Sequence, residues 1–265
     1  MPTAFVLGGG GLLGAVEVGM LQALLEAGIK PDLVVGSSVG ALNGAAIAGD
    51  PTLETVEQLT AMWEALGHDR VFSGSRLTTL ARTRTHLHGN EGLRSLLEAH
   101  GAGVQIEDLP VTFQCVAACI ETAGAHWFAD GPVVDAVLAS CAVPGLLPPV
   151  RIGDRHYLDG GLVHSIPVGR ALDLGATTVY VLQVGRIEQP LSVPRWPWEV
   201  GTVAFEIARR HRFTEEMARL AEGLDVHVLP TGVRAGSTNV RYRDTSRVRS
   251  RIRSAYDASS AYLGG

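Results

Sequence analysis

Leu33-Val34-Val35-Gly36-Ser37-Ser38-Val39-Gly40-Ala41-Leu42 is the stretch that decides how this chain folds. Three apolar β-formers run into a glycine-flanked serine pair, and small apolar residues continue through Ala45 and Ala46 to Gly49. The pattern predicts a buried strand, a tight turn and a helix. The turn fits G-x-S-x-G with Ser38 at its centre. Small neighbours permit the sharp bend, and the bend carries the hydroxyl to a helix N-terminus, where developing negative charge is favoured. At this glycine content the pattern arises by chance about 0.2 times per chain of this length, so its weight comes from lying between a strand and a helix. Gly36 and Gly40 support the turn, and Ser37 is off-centre with at most an auxiliary role.

Upstream the same grammar is repeated. Ala4-Phe5-Val6-Leu7 is a short apolar strand ending in Gly8 to Gly11. Val16, Met20 and Leu24 then recur at helical spacing until Gly28. Strand–turn–helix twice over predicts a parallel sheet with helical crossovers. Of 32 glycines, 11 fall in residues 1–50. Gly9-Gly10-Gly11-Leu12-Leu13-Gly14 fits G-x-G-x-x-G, which has two chemical readings. A dinucleotide loop requires an acidic residue at the end of the second strand; Asp32 precedes that strand, which ends in Gly36-Ser37 instead. In the other reading the loop's backbone N–H groups form an oxyanion hole. Parallel strands end on the same side, so Gly10 and Gly11 fall near Ser38.

Further along, residues 52–66 read as an amphipathic helix, 67–90 as a mobile loop with Arg70, Arg76, Arg82 and Arg84, and Val111 to Ile120 as a strand paired with Ala125 to Phe128. A helix is expected at 132–141, a strand end at His156 to Asp159, strands at Thr177 to Val184 and Asp225 to Leu229, and a long helix at 199–221. No repeat or linker divides the chain. The expected architecture is a single-domain three-layer α/β/α protein with a mostly parallel central sheet. Residues 1–185 form the core, and 186–265 continue it with a helix and strand and an Arg-rich end.

Bulk composition removes several classes. Hydrophobic residues are 46% and charged residues 18%, spread throughout, which excludes disorder. A net charge of -5 gives no case for nucleic acid. Seven arginines at 234, 241, 243, 247, 249, 251 and 253 stand against Asp244; they read as a solvated face, with an anionic membrane or phosphate as the other contact. The N-terminus lacks the basic region of a secretory signal. The uncharged run Leu33 to Gly49 is too short and polar to span a bilayer. Cys115 and Cys119 stand about 13 Å apart along a strand, too far for a disulfide. With Cys141 they are expected as buried thiols in a cytoplasmic protein. His86-x-His88 lacks further ligands at metal spacing, so neither a metal nor a cofactor is expected.

Ser38 needs a base. His164, His211 and His227 follow it in the order an ordinary α/β-hydrolase uses. The alternative is Asp159 in Tyr157-Leu158-Asp159-Gly160-Gly161, a carboxylate at a strand end whose two glycines allow close approach to another strand.

Four blocks taken together resemble the patatin-like phospholipase family: Leu7 to Ala15, Gly36 to Ala41, Ala139-Ser140-Cys141-Ala142-Val143-Pro144-Gly145, and Asp159-Gly160-Gly161. Pro148-Pro149 and Ile166-Pro167-Val168 add to the match, which covers about residues 4–185. The resemblance implies an acyl hydrolase with a Ser–Asp dyad and no histidine. Ser38 would be the nucleophile, Asp159 the general base, and Gly9, Gly10, Gly11 and Gly14 the oxyanion loop, with Gly36, Gly40, Gly160 and Gly161 as motif support. Leu13 stands where plant and bacterial members usually carry Arg or Lys, and His164-Ser165 replaces a frequent Asn-Asn. The implied substrate is a phospholipid, lysophospholipid or other acyl ester, with peripheral membrane contact. Gly145-Leu-Leu-Pro-Pro and Trp196-Pro197-Trp198 are candidates for an acyl groove. A Ser-His-Asp esterase, a non-catalytic lipid-binding protein and a nucleotide-dependent oxidoreductase are the rival classes; oligomeric state is left open.

Overall fold

β1 (Thr3–Leu7) is buried from Ala4 onward, with Phe5 and Leu7 in one hydrophobic cluster and Ala4 and Val6 in another. A strand whose alternate residues feed two cores lies at the centre of a sheet covered on both faces. The computed structural model describes residues 2–66, 86, 88–101, 103–184, 191–195, 197–218, 224–232 and 247–264. β2 (Leu33–Ser37) and β7 (Thr178–Leu182) flank β1, and β3 (Thr112–Cys119) and β8 (Asp225–Val228) pair outside them, all parallel. β4 (Gly124–Phe128), β5 (Val150–Ile152) and β6 (Arg155–Leu158) complete an eight-stranded sheet through antiparallel pairings. The sheet is mixed and mostly parallel, as expected.

One core lies under α1 (Ala15–Glu26), α2 (Val39–Gly49), α3 (Leu53–Leu66), α4 (Glu91–Gly101), α5 (Val133–Ser140) and α8 (Val248–Leu263). The other lies under α6 (Val168–Asp173) and α7 (Pro197–Ala218), whose Val168, Ala171, Phe213 and Met217 meet Val6 and Val35. Strand order reverses between β1 and β7. The chain leaves β1 toward α1 on one face and reaches α7 on the other after β7, which opens a crevice at the carboxyl ends of these strands.

β3 sets up the decisive meeting. Cys115 and Val116 pair with β2 on one edge and β4 on the other, whereas Ala118 and Cys119 pair with β4 and β6. β6 therefore occupies the same edge as β2 but runs in the opposite direction. Ser37 is paired with Val116 and Leu158 with Ala118. Carried one residue further, Ser38 and Asp159 both arrive opposite Ala117.

α4, β5, α6 and α8 are additions to the expected elements. Of the expected 67–90 loop, residues 67–85 and 87 lie outside the described residues, as do its four arginines. The Arg-rich segment is divided: 234–246 lie outside the described residues, and 247 onward leads into α8, where Arg251 is buried. Among the described residues no helix is long and apolar enough to cross a membrane. Cys115, Cys119 and Cys141 are buried thiols.

α8 lies against α1 at Gly19, where a Cβ would collide with the Ile252 carbonyl. Gly19→Ala is expected to cost about 1–3 kcal/mol through backbone overpacking, measured by urea denaturation. An unchanged midpoint would contradict this packing.

Candidate functional site

Local sequence explains the elbow. Ser38 has φ 54° and ψ -126°, a left-handed conformation that favours glycine. The bend persists because its flanks are locked. A Cβ on Gly36 would sit 2.6 Å from the Ala41 Cα, and one on Gly40 would collide with the Leu7 carbonyl. α2 can thus start flush against the ends of both β2 and β1 only with glycine at both positions. The Ser38 N–H donates to the Ser140 Oγ at 2.8 Å, and the Ser140 hydroxyl donates to the Val116 carbonyl at 2.7 Å. The last residue of α5 therefore ties the elbow to β3. Backbone strain of this kind costs about 1–3 kcal/mol and persists where surroundings over-determine it.

The Ser38 hydroxyl donates to the Asp159 Oδ2 at 2.6 Å, and both side chains are buried. The second carboxylate oxygen accepts from the Gly161 N–H at 2.8 Å, and the Asp159 N–H donates to the Ala142 carbonyl at 2.9 Å. Gly160 lets this segment lie against β3, since a Cβ there would collide with the Val116 carbonyl. Burial raises the Asp159 pKa to about 6; the Ser38 and Gly161 hydrogen bonds and the charge of Arg209 partly offset that rise. A buried carboxylate with few donors is more basic than one in water.

The glycine loop divides into structural and uncommitted parts. The Gly8 N–H donates to the Leu182 carbonyl at 3.0 Å and the Gly9 N–H to the Ser165 carbonyl at 2.8 Å. The Gly9 N–H is therefore occupied. A Cβ on Gly9 would sit 3.2 Å from the Ser38 Cβ, so the loop passes directly over the serine. Gly10 packs where a Cβ would collide with Val184, and Gly11 has φ 59°. Among the described residues neither the Gly10 nor the Gly11 N–H donates to a protein acceptor. Gly14 is a spacer: a Cβ there would meet Trp63 and Val39 at 2.8 Å. Its carbonyl accepts from the Asn43 Nδ2 at 3.0 Å; the same amide donates to the buried Glu17 at 2.8 Å and accepts from the Trp63 Nε1 at 2.9 Å. Burial pushes the Glu17 pKa well up.

The histidines lie elsewhere. His164 packs on the Trp127 ring with centroids 5.3 Å apart, and burial lowers its pKa. His211 faces Glu215 at 3.5 Å on α7, and His227 lies between Asp225 and Tyr262 on the outermost strand. Asp32, the one acidic residue near the second strand, accepts from the Thr3 N–H at the strands' opposite ends from the glycine loop. Within Gly145-Leu-Leu-Pro-Pro, Leu147 is buried in the larger core and Leu146 packs against it. The side chains of Trp196-Pro197-Trp198 lie outside the described residues.

Sequence reasoning missed Arg209 altogether. From α7 it donates to the Gly9 carbonyl at 2.9 Å, to the Ser165 Oγ at 3.2 Å and to Glu206 at 3.1 Å.

A mostly parallel sheet covered by helices on both faces, with a serine–carboxylate pair and a glycine loop at its strand ends, places the chain in the α/β class. The chain belongs to the patatin-like phospholipase family, whose model matches residues 5–172; it is thereby a member of a family of ester-bond hydrolases. It is 32% identical over 191 residues to the lysophospholipase nte1 of Aspergillus terreus, covering 69% of this chain and 12% of that protein. It is 33% identical over 199 residues to the patatin-like phospholipase domain-containing protein ZK370.4 of Caenorhabditis elegans, covering 69% and 14%. The chain thus spans about an eighth of the length of these curated relatives. VipD from Legionella pneumophila shares the fold, with a TM-score of 0.51 at 14% identity, covering 99% of this chain and 67% of that one.

If the elbow is strained as its dihedrals indicate, Ser38→Gly is expected to be more stable than Ser38→Ala by about 1 kcal/mol, read as the difference in urea midpoints. Equal stability would show that Ser38 carries no backbone strain.

Proposed function

We propose that this chain is a serine acyl hydrolase of lipid esters, with Ser38 as nucleophile, Asp159 as general base and the glycine loop as oxyanion hole. The observation that carries the reading is the 2.6 Å hydrogen bond from the Ser38 hydroxyl to the Asp159 carboxylate. No histidine is interposed. Asp159 takes the hydroxyl proton as Oγ bonds to the ester carbonyl carbon. The carbonyl oxygen becomes an oxyanion, supported by the uncommitted N–H groups of Gly10 and Gly11 and by the N-terminus of α2. Collapse breaks the bond to the alcohol oxygen, which receives the proton from Asp159. Water then attacks the acyl-enzyme, Asp159 accepts its proton, and the acid departs as Oγ is reprotonated.

The substrate class follows from the family and from the relatives named as lysophospholipases: a phospholipid or lysophospholipid acyl ester. α7 supports contact with a lipid surface. Val200 and Ile207 are exposed on the helix whose other face carries Glu206 and Arg209 into the site. A peripheral position at the membrane follows for the acyl chain to enter.

Ser38→Ala and Asp159→Asn are each expected to lower kcat for p-nitrophenyl ester hydrolysis by at least about 10²-fold with the fold intact by circular dichroism. Full activity in Asp159→Asn would remove the carboxylate from the mechanism. The pH dependence has a definite sign. Asp159 acts as a base only when ionised, so kcat/KM rises with pH and levels off above about 6.

Stability moves the other way. Below about pH 4 the carboxyl is protonated in both folded and unfolded chains. Between that pH and about 6 only the unfolded chain has lost its proton. Above it the folded state carries the full cost of the buried anion, about 3 kcal/mol. Asp159→Asn is therefore expected to raise the urea midpoint at pH 8, with the difference vanishing near about pH 4. A lower midpoint at pH 8 would show that the ionised carboxylate stabilises the fold.

A further inference from the structure

Glycine makes the loop over Ser38 able to approach the serine, and it also makes each peptide unit there easy to turn over. Gly8 to Gly11 carry no side chains to resist a peptide flip. An oxyanion hole works only if its donors are aimed before charge develops. Something outside the loop has to fix the orientation of the peptide between Gly9 and Gly10, because the N–H of that unit belongs to Gly10, one of the two uncommitted donors.

Arg209 meets that need. The residue is 5% exposed, and its guanidinium donates through one nitrogen to the Gly9 carbonyl at 2.9 Å and the Ser165 Oγ at 3.2 Å. The other terminal nitrogen donates to Glu206, which is also buried. The carbonyl and N–H of a trans peptide point in opposite directions, and none of the described peptides is cis. Holding the Gly9 oxygen toward α7 therefore holds the Gly10 hydrogen away from it. Ser165 closes the other side by accepting the Gly9 N–H through its carbonyl at 2.8 Å. Both peptide units flanking Gly9 are thus gripped by one Arg–Ser pair, and Glu206 balances the charge that burial makes expensive.

We infer that Arg209, backed by Glu206 and Ser165, is the positioning residue that locks the Gly9–Gly10 peptide so that its N–H serves the oxyanion. A planar guanidinium suits this task, since it spans two acceptors in a fixed geometry that a lysine ammonium does not reproduce. A positive charge on the carbonyl also polarises the peptide and strengthens its N–H as a donor. The inference rests on the hydrolase reading of Ser38 and deepens it. It gives the C-terminal part of the chain, beyond the matched residues, a part in positioning the site.

The test compares the full chain with its Arg209→Met and Arg209→Lys variants, each on the alkaline plateau of its own pH profile. There Asp159 is ionised, and the Arg209 charge no longer acts through it. For Arg209→Met, kcat on a p-nitrophenyl ester is expected to fall about 100-fold, the scale of one oxyanion donor, with KM within about twofold. Affinity for a trifluoromethyl ketone, whose serine adduct carries the oxyanion, falls by the same factor, and Arg209→Lys recovers part of both losses. A merely structural role would lower the melting temperature or raise KM and leave ketone affinity in step with KM; that result, or wild-type kcat, overturns the inference. If Arg209→Met does not fold, Arg209→Lys alone carries the comparison, with the same split expected at smaller size. Ser38→Ala separates the two levels. Activity surviving in Ser38→Ala overturns the hydrolase reading itself, whereas an inactive Ser38→Ala beside a fully active Arg209→Met overturns the lock alone.

Discussion

Two strands meet end to end on one edge of β3, and the site depends on that collision. β2 arrives parallel to β3 and β6 arrives antiparallel, so their chain ends converge opposite Ala117. Neither strand can continue along that edge. β2 turns into α2 at Ser38, and β6 turns into the Gly160–Leu162 turn at Asp159. The hydrogen bond between these residues thus spans two places where the sheet is forced to stop. Both ends fall in the interior, which removes water from the carboxylate and raises its proton affinity. Geometry and basicity have the same origin.

The rest of the fold holds this arrangement against its own cost. Ser38 occupies an unfavourable backbone conformation, Asp159 is desolvated, and Arg209 and Glu206 are ionisable groups shut inside the protein. Each feature opposes stability when considered alone. Two hydrophobic cores offset them, one on each face of the sheet, and β1 contributes to both. The hydrogen bond that the Ser38 N–H donates to Ser140 then fixes the elbow, and the one that the Gly161 N–H donates to Asp159 fixes the carboxylate. The strained Ser38, the buried Asp159 and the Arg209–Glu206 pair are gathered around the ends of β1, β2 and β6. That distribution is what a site prepared for chemistry needs.

Much of this was legible in the amino-acid sequence where the signal is local. Gly36 to Gly40 announces an elbow because strand, turn and helix follow within a few residues, and the expected segments around β1, β2, β3, β4, α5 and β7 match the structure to within a few positions. What escaped is non-local or chemically disguised. β5 has three residues, too few for a periodic pattern. α8 hides its buried stripe, Val248, Ile252, Ala255 and Ser259, among arginines that invite the reading of a solvated face. α7 carries Glu206, Arg209, Arg210 and Arg212 close together, and nothing in that run says that two of the four turn inward. The glycine loop shows the same limit in finer detail. Sequence puts Gly9, Gly10, Gly11 and Gly14 in one motif, whereas the fold gives the Gly9 N–H to Ser165 and uses Gly14 as a spacer against Trp63. Asp159 was legible as a candidate partner of Ser38 through its Asp-Gly-Gly setting, but its approach to Ser38 is set by strand register that no single stretch encodes.

The central claim is that Ser38 is the nucleophile. Labelling the intact chain with a fluorophosphonate and mapping the adduct by peptide mass spectrometry tests it most directly. The account predicts one stoichiometric adduct on Ser38, formed at a rate that increases as Asp159 ionises. An adduct on another serine, or none under conditions where esters are hydrolysed, would contradict it.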